Sequence, residues 1–193
     1  MSHLRLGEIV KCQIATRRLI RDEQYFDEDI LDAQELHLGP DGVVGVCGTQ
    51  AILNHHHRLN PMRKAWKPNR LLSVGFTGHY AAMSDRFGAA PVGCAAENVI
   101  VDCDQIVAAA DLESGIQIRC ADGSTIDLGG VAVAKPCIPF TKYLLNDQGA
   151  DVETVAPNRA FLDHGMRGFV MGLEGTGEAT VIRPGDELWA ASS

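Results

Sequence analysis

The sequence predicts a mainly β protein, a closed barrel of short strands with a few short helices. Two observations carry this prediction. Short apolar or alternating stretches recur at regular spacing, separated by Gly, Pro, Asp and Asn turn signals. Asp122-Gly123, between Ile116–Ala121 and Ser124–Leu128, is a hairpin signal. Many short strands so spaced argue for a barrel rather than a β-α-β sheet.

The elements follow in order. Leu6 to Ala15 alternates and reads as a first strand, with Ile9, Cys12 and Ile14 among its apolar positions. Asp22 to Leu36 is acidic and weakly periodic, and reads as a loop with a helical turn. Val43 to Leu53 is an apolar strand close to a tight turn. His55 to Asn69 is polar, basic and broken by Pro61 and Pro68, an excursion from the core. Arg70 to Gly75 returns as a strand. Thr77 or Gly78 caps a helix from His79 to Phe87, which Gly88 ends. Asn98 to Cys103, the two arms of the hairpin, and Val131 to Ala134 are further strands. A short helix spans Asn158 to Asp163. Phe169–Leu173, Ala179–Ile182 and Glu187–Ala190 close the fold, with Pro184-Gly185-Asp186 as the last turn.

The chain has 193 residues, so one domain over 1–193 is the simplest organisation. A formal charge of -8, from 25 acidic against 17 basic residues, argues against a nucleic-acid or anionic-membrane partner. Within this acidic chain Arg58, Arg63, Lys64, Lys67 and Arg70 form one basic cluster. None of the six cysteines forms a C-x-x-C pair, and several lie in apolar alternating stretches where free cysteine acts as a small hydrophobe. There is no basic region followed by an apolar run at the N-terminus, and no stretch of membrane-spanning length. A reduced, cytoplasmic setting is expected.

Cys137 stands apart. It lies in Lys135-Pro136-Cys137-Ile138-Pro139-Phe140, where two prolines fix their own φ and cannot donate to a sheet. The segment should leave the sheet here and present the thiol at a strand end, with Lys135 near enough to favour the thiolate. A thiolate can serve as nucleophile, sulfur carrier or soft-metal ligand. The alternative is a cysteine that fills a core.

Four segments in order resemble the MOSC domain, named after the C-terminus of molybdenum-cofactor sulfurases. They are Gly93-Cys94-Ala95-Ala96-Glu97-Asn98-Val99, Lys135-Pro136-Cys137, Gly165-Met166-Arg167-Gly168 and Pro184-Gly185-Asp186-Glu187-Leu188. The resemblance runs from about Leu4 to Trp189. It departs from the pattern in three places. Gly45-Val46-Cys47-Gly48 stands where members often carry Gly-Asp-x-His, Ala96 replaces a glycine, and extra residues occupy Gly175 to Arg183.

The resemblance implies a MOSC-type barrel in which Cys137 either carries sulfur as a persulfide or is the sulfur ligand to the metal of a molybdopterin cofactor. The second kind of member reduces N-hydroxylated small molecules. Such a protein needs an external partner, an electron-donor protein or a cysteine desulfurase. The cofactor's phosphate needs cations or backbone N–H donors. Arg167-Gly168 fits, since guanidinium grips oxygens bidentately and glycine permits close approach, and Arg70 and Lys135 are further candidates. Glu97 and Asn98 either orient a ligand or close a turn, with Asn98 the better ligand contact. The chain is too short to contain a pyridoxal-phosphate desulfurase domain, so no pyridoxal phosphate is expected. A different class of function, a non-catalytic barrel that binds a small ligand or protein partner, stays open beside these.

Other motifs read more plainly. Successive residues of His55-His56-His57 point to opposite faces of an extended chain, so a solvated turn, with one member lining a pocket, fits better than a metal site. Arg58, Arg63 and Lys64 read as surface charges. His164 is a proton shuttle or a helix-end cap. Gly172, Gly175 and Gly177 are too irregular for a dinucleotide fingerprint.

Overall fold

A computed structural model of the protein describes residues 3–63, 66–175 and 179–191; Lys64 and Gly177 lie outside them. In chain order it contains β1 (His3–Ala15), β2 (Ile20–Arg21), β3 (Gln24–Tyr25), β4 (Ile30–Ala33), β5 (Glu35–Gly39), β6 (Gly42–Cys47), β7 (Gln50–Leu53), β8 (Leu72–Phe76), α1 (Thr77–Phe87) and β9 (Val99–Asp102). A 3-10 turn at Ala109–Leu112 leads to β10 (Ile116–Arg119), β11 (Thr125–Val133), α2 (Ile138–Leu144), α3 (Val152–Phe161), β12 (Phe169–Leu173), β13 (Thr180–Ile182) and β14 (Glu187–Ala191).

Seven strands close into a barrel in the order β14-β10-β11-β12-β8-β9-β1, with β1 pairing back to β14. The long β1 strand makes this possible by changing partners along its length. Residues 3–8 pair with β14, residues 8–12 with β9 and residues 12–15 with β4. Register shifts at Arg5/Gly7 and Ile9/Lys11 let the strand bend between partners. All barrel pairs are antiparallel except β8–β9, which α1 connects as a crossover. The barrel thus holds one β-α-β unit that the sequence pattern did not predict.

A four-stranded sheet, β13-β5-β6-β7, shares the barrel's core: Leu36, Leu38, Val43 and Ile182 are fully buried together with Ile9, Phe76 and Phe169. A second core lies under the helices. It joins Tyr25 of β3, Tyr80 and Met83 of α1, Phe140 and Leu144 of α2, and Leu162 beyond α3. Among the described residues no helix is long and apolar enough to cross a membrane.

Several predicted elements are corrected. Asp22–Leu36 forms strands rather than a loop with a helical turn. Most of its acidic residues are exposed or half-buried, Asp29 is buried against Arg17 and Arg21, and Ala33 and Leu36 pack inward against β1 and β6. Val43–Leu53 is the hairpin β6–β7, not one strand. Ser124–Leu128 and Val131–Ala134 fuse into β11, whose register against β12 shifts between Gly129 and Ala132. The first helix begins at Thr77, whose hydroxyl donates to Asp102 and accepts from the Cys103 N–H; Gly88 ends it in a left-handed conformation. The helix expected at Asn158 starts at Val152. Asp151 caps it by accepting the Thr154 N–H at 2.8 Å, and Pro157 lies inside it. Helix α2, directly after Cys137, is absent from the sequence prediction.

Candidate functional site

Strands β8 and β9 begin, and β1 and β11 end, on one rim of the barrel. A cleft of about 460 Å³ opens there, walled also by the β2–β3 hairpin and the loop after β7. Of the residues singled out in the sequence, Arg70, Glu97, Asn98, Lys135 and Arg167 all line it, with His55 and His56. Arg18, which the sequence reading missed, completes the cationic wall. Its one signal was position, a basic pair straight after the first strand.

Among the described residues the cations in this cleft have no carboxylate partner, whereas several others do. Arg5, Arg17, Arg21, Arg58 and Arg183 each contact a carboxylate. Among the described residues, Arg18, Arg70, Lys135 and Arg167 form no ion pair. Arg58 pairs with Asp41 at 3.3 Å, and Arg63 donates to the Asn60 carbonyl at 3.4 Å.

Glu97 is the lone carboxylate of the cleft wall and is 2% exposed. Its Oε2 accepts from the Tyr80 hydroxyl at 2.5 Å, while Oε1 has no partner. Burial pushes its carboxyl up to about 7, against the opposing pull of the Tyr80 hydrogen bond and the Arg167 guanidinium. Two glycines make room for it. A Cβ on Gly75 would come within 2.7 Å of Oε1, and one on Gly168 within 3.1 Å. Gly168 also has φ +89, so both its backbone and its space exclude a side chain. Ala96, where the resembled family has glycine, takes φ +65, a left-handed conformation that costs alanine about 1 kcal/mol.

Asn98 has its amide engaged within the barrel. Oδ1 accepts from the Ser73 N–H and hydroxyl at 3.1 and 3.0 Å, and Nδ2 donates to the Gln13 carbonyl at 3.3 Å. The side chain therefore laces β8 to β9 and β1 at the cleft floor.

The histidine run divides. His57 turns away and its Nδ1 accepts the Leu59 N–H at 3.1 Å. His55 and His57 are buried, not solvated, because the Ala15 and Asn54 carbonyls draw their backbone inward. Burial, then His56 and Arg18, depress His55 to about 4. Burial, Arg167 and Arg70 hold His56 below the usual histidine value. Two of the three thus line the cleft, His55 buried and His56 exposed. His164 is exposed with φ 60 on the turn after α3, outside the cleft lining. Among the described residues no group of three or more His, Cys, Asp or Glu is arranged to hold a metal ion.

Cys137 caps α2 with extended backbone, φ −116 and ψ 158, and Pro139 lies in the helix's first turn. It is partly buried and does not line the cleft. It packs on the helical core that includes Tyr25, itself a cleft residue. Its segment joins two concavities: Lys135 lines the cationic cleft, and Pro139 lines a neighbouring depression that shares Arg18 and Ile20. Burial pushes Cys12 and Cys94 up to about 12, which keeps them as thiols.

No protein-family profile and no curated sequence matches the chain. Solved structures do resemble it. The YuaD protein from Bacillus subtilis, of the MOSC-domain fold, superposes with a TM-score of 0.60 at 15% identity, covering 97% of this chain and 96% of its own. A hypothetical protein superposes with a TM-score of 0.54 at 14% identity, covering 98% and 70%. These likenesses are likenesses of fold.

Proposed function

We propose that this barrel uses its cationic cleft to hold the phosphate of a molybdopterin-type cofactor, with Cys137 as the sulfur ligand to the metal or as the carrier of a persulfide. One observation carries the reading. Four cations without carboxylate partners converge on one cleft of an acidic protein, and one of them, Lys135, begins the segment that bears Cys137. Guanidinium and ammonium groups suit phosphate oxygens, and here four of them face a single carboxylate, Glu97. Arg18, Arg70, Lys135 and Arg167 would grip the phosphate; Gly168, outside the cleft lining and packed against Val74 and Glu97, serves the carboxylate rather than the ligand. Asn98 would act through the barrel, by fixing β8 and β9. The fit is good for the anion. For the thiol it rests on the adjoining segment, since Cys137 itself does not line the cleft. When bound, the metal would supply redox chemistry, in keeping with reduction of N-hydroxylated small molecules through an external electron donor.

The test is molybdenum and pterin content after expression in a host that makes the cofactor. Wild type should retain both, and Cys137→Ser should lose the metal if the thiol is its ligand. A mass increment of one sulfur on Cys137, absent from Cys137→Ser, would select the persulfide role. Wild type with neither metal nor persulfide would leave the non-catalytic binding barrel as the function.

A further inference from the structure

Arg167 reaches from the turn before β12 to the segment that carries Cys137. Its Nη1 donates to the Lys135 carbonyl at 3.0 Å, and its guanidinium carbon lies 4.9 Å from the centre of the Phe140 ring. These contacts fall on either side of Cys137 in the chain. The main chain of the same turn is tied in as well, because the Ala134 N–H donates to the Gly168 carbonyl at 3.0 Å. From the helix side, the Cys137 carbonyl accepts from both the N–H and the hydroxyl of Thr141, each at 3.0 Å. The thiol's backbone is therefore held from two directions, and one of the two is a cleft cation.

That cation has capacity left over. A guanidinium carries five N–H donors in a fixed fork, and its Nε here is buried without an acceptor. Arg18, Arg70 and Lys135 line the same cleft and repel it, while Glu97 is the one carboxylate there to draw it in. An oxyanion placed among these groups would relieve the repulsion, satisfy the free N–H groups and leave the Lys135 contact in place.

We infer that Arg167 is a positioning residue that couples occupancy of the cleft by a phosphate-type anion to the reactivity of Cys137. The inference rests on the anion-binding reading above and adds to it. An anion on Arg167 fixes the guanidinium against Phe140 and Lys135, stiffens the segment between them and lowers the positive potential around the thiol. All three changes slow attack of Cys137 on a small electrophile. A thiol so governed reacts slowly with stray electrophiles while the cleft is filled and is kept for the bound group.

The experiment measures alkylation of Cys137 by iodoacetamide, resolved by peptide mass, across a titration of inorganic phosphate whose binding is followed by calorimetry. Cys47 and Cys103, partly buried and outside this segment, serve as references in the same digest. Saturating phosphate should slow Cys137 about fivefold in wild type, the rate change that roughly 1 kcal/mol produces, and leave the references unchanged. Arg167→Gln should bind phosphate more weakly through the remaining cations and lose the slowing even at saturation. Arg167→Lys keeps the charge but not the fork, and should restore binding without restoring the full slowing. Phosphate that binds wild type and leaves Cys137 unaffected overturns the coupling and spares the anion reading. Equal slowing in wild type and in both variants shows direct shielding by the anion and also overturns it. Absence of phosphate binding to wild type overturns the anion reading, and the coupling with it.

Discussion

A carboxyl group that is 2% exposed, with one oxygen lacking a partner, is costly to ionise, and Glu97 shows what the cleft tolerates to keep one there. Its folded value of about 7 lies above the unfolded value near 4.5, so the protonated form is the one folding favours. Its contribution to stability is present below the unfolded value and is lost as pH rises through about 7. At pH 8 the penalty is on the order of 3 kcal/mol, since each tenfold change in proton affinity is worth about 1.36 kcal/mol. Glu97→Gln should therefore be more stable than wild type at pH 8, and the gap should shrink towards pH 5, as read from denaturant midpoints at both. A gap that does not change with pH would show that Glu97 is ionised throughout. At this scale much of the site was legible. Arg70, Glu97, Asn98, Lys135 and Arg167 were marked by local motifs and now share one cleft. Arg18 was not marked, and the histidine run was read as a turn with one member lining a pocket, because their place depends on the β2–β3 hairpin and the loop after β7 folding back over the rim. No local pattern encodes that return.

Among elements, the turn before β14 shows how a short motif joins distant strands. Asp186 is buried, and its two carboxylate oxygens serve different elements. Oδ1 accepts the Ala121 N–H at 3.0 Å from the β10–β11 hairpin, and Oδ2 accepts the Arg183 N–H at 2.7 Å within its own turn. Asp186→Asn sets an amide NH₂ against one of these N–H donors, so that a buried donor loses its acceptor. The loss should be about 1–3 kcal/mol in equilibrium unfolding; an unchanged midpoint would mean that the two turns are joined by packing alone. The Gly-Asp turn itself was legible. The strands it connects were legible where apolar residues alternate, as in β12 and β14. They were missed where charge masks the alternation, as in β4 and β5, whose burial depends on partners far along the chain. Helix α2 was missed for a different reason. Two prolines read as interruption, yet Pro139 sits in the first turn, where its missing N–H costs nothing.

For the whole molecule, pH acts through opposed buried groups. His55 and His79 are depressed to about 4 by burial, so each stays neutral in the folded state while the unfolded chain takes up a proton below about 6.5. Their contribution is present above 6.5 and lost as pH falls towards 4. Glu97 works the other way across part of this window. From these three groups alone, two protons against one give a slope of about 1.4 kcal/mol per pH unit, with stability rising as pH increases between roughly 4.5 and 6.5, and the lowered His56 and His57 act in the same direction. The melting temperature should therefore climb through that window and level off near neutrality; a flat profile from about pH 5 to 6.5 would show that these histidines are protonated in the fold. The barrel architecture was legible at this scale from strand spacing alone, whereas the parallel β8–β9 step was not, since the α1 crossover looks the same in sequence whichever way the next strand runs. Closure has one more result. The first barrel strand is sealed by the last, so β1 and β10 both keep an open edge until β14 arrives. Open edges invite pairing with other chains, and contacts between residues so far apart in sequence form slowly. During synthesis this fold cannot be completed piece by piece as the polypeptide emerges; it must wait, with its seam unjoined, until β14 is made.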